Sequence, residues 1–131
     1  MAALVMVLWI TGIAMRMWAG DDSVLEAPPW QAEWRHAAVV IHGVLAWLFC
    51  VVTGRWIWPH TTVFWRKRSH TLRWWLGLLT ALISICLAIG GLCLLYGSPP
   101  LREITTPVHW WAGLVWPVVI ALHTRVFNRI P

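Results

Sequence analysis

Charge is scarce in this chain. Ten Lys and Arg and five Asp and Glu make up 11% of its 131 residues, against 60% hydrophobic ones. A soluble domain of this length cannot bury so much apolar surface, because small bodies have too little interior. The basic residues are too few for a nucleic-acid surface, and they cluster at the ends of apolar segments, where membrane topology accounts for the net charge of +5. Cysteine is also sparse. Cys50, Cys86 and Cys93 lie in apolar runs and form neither CxxC nor CxxCH, which argues against covalent c-type haem and against a zinc site. They read as small buried thiols. There is no carboxylate pair, no nucleophile with a neighbouring base and no phosphate-binding loop, so chemistry other than redox has no residues to carry it. There are almost no mid-segment polar residues beyond Thr53, Thr80 and Ser84, too few for the lining of a transporter or channel.

What the chain has is long apolar runs. Segments of about 20 apolar residues cross a bilayer, and in lipid the backbone must satisfy itself, so helices are expected. The predicted architecture is all-α, an integral membrane four-helix bundle running up-down-up-down. It forms a single transmembrane domain over 1–131, with spans at about 2–19, 36–58, 72–96 and 108–127. The first segment has no basic n-region and no clear cleavage site, so it reads as a retained span. The connector 20–35 holds Asp21, Asp22, Glu26, Pro28, Pro29 and Glu33 and reads as a loop, with an interfacial stretch around Trp30 and Trp34. Pro59 is expected to end or bend the second helix. Gly97-Ser98-Pro99-Pro100 reads as a stop, followed by a short loop to Pro107. Arg66, Lys67, Arg68 and Arg73 in the second connector share a side with Arg125 and Arg129, opposite the acidic first connector. The positive-inside rule then places both termini in the cytoplasm.

The fourth segment is the most informative. His109 and His123 stand 14 residues apart in HWWAGLVWPVVIALH. On an ideal helix they lie within roughly 40° of one face and about 21 Å apart, so each sits near one membrane surface. An imidazole in hydrocarbon is costly unless it has a partner or a ligand. Neutral imidazole nitrogen is also the usual axial ligand of non-covalent haem. The expected cofactor is therefore haem b, two groups stacked across the bilayer, or one if only one level is complete. His42, on the parallel second span, is the level partner of His109. The inner partner of His123 is open between two residues. His60 follows His42 by 18 residues on the same face, with Pro59 before it; His70 stands at the start of span three. His36 beside Arg35 reads as a surface residue.

Glycines match this spacing. Gly77 and Gly90 are 13 residues apart in span three, about 20 Å, and leave room where a macrocycle would lie. Gly113, Gly12 and Gly54 offer the same freedom, and ordinary small-residue packing would use them too. Arg35, Arg16 and Arg102 on the outer side, and Arg73 and Arg125 on the inner, suit anionic propionates, and each also serves as a topology anchor. Most of the thirteen tryptophans lie near span ends, as interfacial belt residues. Trp47 and Trp116 lie deeper, against a neighbouring helix or a cofactor.

Taken together, the chain resembles the four-helix dihaem b-type cytochromes, the membrane subunits of formate dehydrogenases and nickel-iron hydrogenases and small bacterial b cytochromes. The resemblance covers about residues 36–127. It rests on His109-x-x-x-Gly113 with His123, on His42-Gly43, and on Arg73-Trp74-Trp75-Leu76-Gly77 through Gly90-Gly91-Leu92 to Tyr96-Gly97. It implies transmembrane electron transfer between a quinone pool and a redox partner subunit, in a bacterial inner membrane, without nucleic acid. The chain departs from the family at one point. The family usually takes the inner haem's second ligand from the first span, which here has no histidine. The competing reading is a cofactor-free, Trp-rich anchor subunit of a larger membrane complex, which does not need histidines at matched depths.

Overall fold

The computed structural model describes residues 2–17, 28–67 and 72–128, with the side chains of His60 and Arg73 among those outside the described set; His70 lies wholly outside it. Every described element is an α-helix, in the order α1 (Ala2–Met17), α2 (Pro29–Lys67), α3 (Leu72–Tyr96) and α4 (Pro99–Asn128). Three stretches are long and apolar enough to cross a membrane, Trp30–Arg55, Trp74–Tyr96 and Pro99–Arg125; α1 contributes a shorter apolar stretch, Ala3–Met17.

Three boundaries differ from the sequence reading, each at a proline. The second helix begins at Pro29, inside the expected loop, with Gln31 N–H donating to Pro28 O at 2.8 Å. It also continues through Pro59 to Lys67. A proline removes one helical hydrogen bond and crowds one carbonyl, a loss the long apolar segment absorbs here. The third difference concerns Gly-Ser-Pro-Pro, which closes α3 and opens α4 within two residues. Gly97 N–H donates to Cys93 O at 2.8 Å, and the Ser98 carbonyl accepts from Arg102 N–H at 3.0 Å. Ser98 is thus the N-cap and Pro99 the first helical residue, where a missing N–H costs nothing. The stretch expected as a loop to Pro107 is therefore helix, with Pro107 and Pro117 inside it. Gly97 is required by crowding, since a Cβ there would collide with the Cys93 carbonyl oxygen. Arg102 Nη2 also donates to Leu95 O at 3.1 Å, closing the end of α3.

The chain divides into two compact units, Met1–Val52 and Thr53–Pro131. In the first, Val5, Leu8 and Ala38 are buried. Val5, Leu8 and Gly12 recur at i, i+3 and i+7, one face of α1. In the second unit α3 and α4 pack antiparallel. His109 lies against Gly90 and Gly91, Gly113 against Leu87, and His123 against Gly77. Between these levels Trp116 Nε1–H donates to Ser84 Oγ at 3.0 Å, and Ser84 donates on to Thr80 O at 2.8 Å. His109, Trp116 and His123 are seven residues apart in turn, as are Gly77, Ser84 and Gly91. This is the repeat with which a helix keeps one seam on its neighbour.

Apolar side chains also cover the outward faces. On α4 Ile104, Val108, Trp111, Val115, Val118 and Leu122 form one exposed stripe; on α3 Leu82, Ile85, Ile89 and Leu92 form another. A water-facing surface would not carry such stripes. Two expectations fail on these faces. Trp47 is 69% exposed rather than packed on a neighbouring helix. Cys50 and Cys86 are exposed and Cys93 is half-buried, so the thiols are not core residues. The physical reason is shared: an apolar side chain needs no burial within the chain when its surroundings are apolar. Trp116, by contrast, is buried at 5% exposure.

Candidate functional site

In the second unit the candidate site is the α3–α4 seam. His109 and His123 share the α4 face that meets α3, and both are half-buried. Each imidazole rests on a glycine. A Cβ on Gly90 would lie 2.9 Å from His109 Nδ1, and one on Gly77 would lie 3.1 Å from His123 Cε1. At Gly90 an added side chain would force a shift, and at Gly77 the ring would have to give by a few tenths of an ångström. The glycines therefore seat the histidine rings themselves, rather than leaving open space beside them.

The two rings are seated differently. At Gly90 the nearest atoms of His109 are Nδ1, Cβ and Cγ, so its Nδ1 edge faces α3 and Nε2 turns away. At Gly77 the nearest atoms of His123 are Cε1, Nδ1 and Nε2. The remaining glycines are less demanding. A Cβ on Gly113 would meet only Leu87 Cδ2 at 3.9 Å, ordinary contact, and one on Gly54 would meet nothing within 4 Å.

The first unit holds His42, half-buried on α2. Its Nδ1 lies 2.9 Å from Thr11 Oγ1 of α1. A Cβ on Gly12 would lie 3.5 Å from His42 Cε1, so Gly12 gives an easy fit rather than a required one. Sequence reasoning missed Thr11. A lone threonine 31 residues before the histidine carries no motif, and only the packing of α1 on α2 brings the pair together.

The arginines divide by geometry. Arg35 and Arg102 are exposed and precede His42 and His109 by seven residues, so each shares its histidine's helix face. Arg102 is held at the end of α3 through Leu95 O. Arg125 is exposed and follows His123 by two residues, about 200° around the helix, so it leaves the seam. It lies in the last turn of α4, where a cation is favourable to the helix dipole. Among the described residues no group of three or more His, Cys, Asp or Glu gathers as a metal cluster. Axial ligation needs only one imidazole from each side of a macrocycle. Within the second unit His109, with Nε2 turned out from its glycine, can offer one such imidazole, and within the first unit His42 can offer another.

Comparison with family models, with curated proteins and with solved structures gives no match.

Proposed function

We propose that the chain is a membrane b-type cytochrome that passes electrons across the bilayer between a quinone pool and a redox partner subunit. The observation that carries this reading is the α4 seam, two histidines 14 residues apart on one face, each seated on a glycine of α3. Haem b, when bound, supplies one-electron chemistry through iron that alternates between ferric and ferrous. His42 and His109 would hold the outer haem. His123 would hold the inner one, together with His60 or His70. Arg35 and Arg102, on the faces of their histidines, suit the outer propionates. Arg73 is the inner counterpart, with Arg125 at the helix end.

In this reading all four helices span, up-down-up-down, in a bacterial inner membrane with both termini cytoplasmic. The 16 residues of α1 reach about 24 Å, shorter than the hydrocarbon core, a mismatch that bilayers accommodate by thinning at modest cost. The small connectors leave little surface for a substrate, which favours a partner subunit as donor or acceptor.

The test is transfer itself. The full chain, purified with its haem and reconstituted in vesicles that enclose ferricyanide, should bleach that ferricyanide when an impermeant reductant is added outside. Bleaching no faster than in protein-free vesicles would overturn the proposal and leave the Trp-rich anchor in its place.

A further inference from the structure

The hydroxyl of Thr11 carries one proton. Its Oγ1 lies 2.8 Å from Val7 O and 3.1 Å from Leu8 O, and donates to these carbonyls of its own helix. Other helical threonines here do the same. Thr61, Thr80 and Thr106 donate to the carbonyl four residues back at 2.8, 2.8 and 2.7 Å. With that proton committed to α1, the oxygen has only lone pairs to offer across the 2.9 Å gap to His42 Nδ1. In that arrangement Nδ1 is the donor. With the Thr11 proton on α1, the imidazole is the Nδ1–H tautomer and its lone pair is on Nε2. A Cβ on Gly12, beside Thr11, would meet the ring at Cε1 and Nδ1, so the edge that faces α1 is the Nδ1–Cε1 edge.

We infer that Thr11 is a positioning residue for His42, fixing its tautomer and ring orientation so that Nε2 is the ligand nitrogen. The inference rests on the haem reading above. A ligating histidine whose other nitrogen donates to a fixed acceptor is oriented and made more basic. Thr11 does this from α1, the helix that supplies no histidine of its own. The first helix is thus tied to the site through a hydroxyl.

Two substitutions separate this role from mere packing. Thr11→Val keeps the shape and removes the acceptor; Thr11→Ser keeps the hydroxyl. In the full chain labelled with ¹⁵N-histidine and purified without haem, the His42 signal is identified by its loss in His42→Gln. It should report Nδ1–H in the native protein and in Thr11→Ser. In Thr11→Val a population protonated at Nε2 should appear. In the haem-loaded protein, Thr11→Val should raise the midpoint potential of one haem and weaken its binding roughly 10- to 100-fold, with Thr11→Ser close to native. An unchanged tautomer in Thr11→Val, or a serine variant that behaves like valine, overturns the inference. A native chain that binds no haem defeats the cytochrome reading, and the positioning role with it, even where the tautomers follow Thr11.

Discussion

Replacing His109 with alanine is expected to halve the haem content of the protein. The imidazole is the only ligand that α4 offers at the outer level, and nothing in the small methyl replaces it. His123→Ala should remove the other half. The two levels lie about 21 Å apart on one helix, far enough that loss at one should leave the other filled, as for distant independent sites. His36→Ala is the control, because His36 is exposed and should keep full occupancy. The reduced-minus-oxidised absorption spectrum measures all three. A His109→Ala protein that keeps native haem content would remove this residue from the ligand set.

The second large effect belongs to the glycines under these rings. Gly90→Val should displace His109, because even the first carbon of the new side chain falls 2.9 Å from Nδ1. The ring must leave its seat or the two helices must part, and overpacking of this kind costs about 1–3 kcal/mol. Outer haem should be lost, and the midpoint of denaturation in detergent should fall. Gly77→Val should act alike on His123. Gly113→Ala and Gly54→Ala are the contrast. Their new methyls meet ordinary contact or open space, and removing a helical glycine is favourable by up to about 1 kcal/mol. If all four substitutions had equal effects, the glycines would be serving general helix packing and not these two rings.

Much of this was legible in the chain, and the misses have separate causes. The 14-residue step from His109 to His123 and the 13-residue step from Gly77 to Gly90 are periodic features, and a helix turns period directly into position. Antiparallel pairing of α3 with α4 then brings each histidine to its glycine, which the two spacings anticipated without giving the contact. The prolines misled because one residue has two meanings. Pro99 and Pro100 cannot continue the helix before them, but they are well suited to begin the next, and Ser98 supplies the cap. Pro59 is tolerated inside a long apolar helix, as neighbouring groups can re-satisfy a freed carbonyl in such segments. Trp47 and Cys86 misled for another reason, since depth in an apolar run does not tell which face a residue occupies. Thr11 left no trace at all, because its meaning depends on one contact across 31 residues.

The central claim is that α4 carries two haem levels, and it is tested most directly by the haem-to-protein ratio of the purified full chain. The predicted result is two low-spin b-type haems per chain, with an α band in the reduced-minus-oxidised spectrum. A folded, helical chain that shows no α band after expression with ample haem would contradict it.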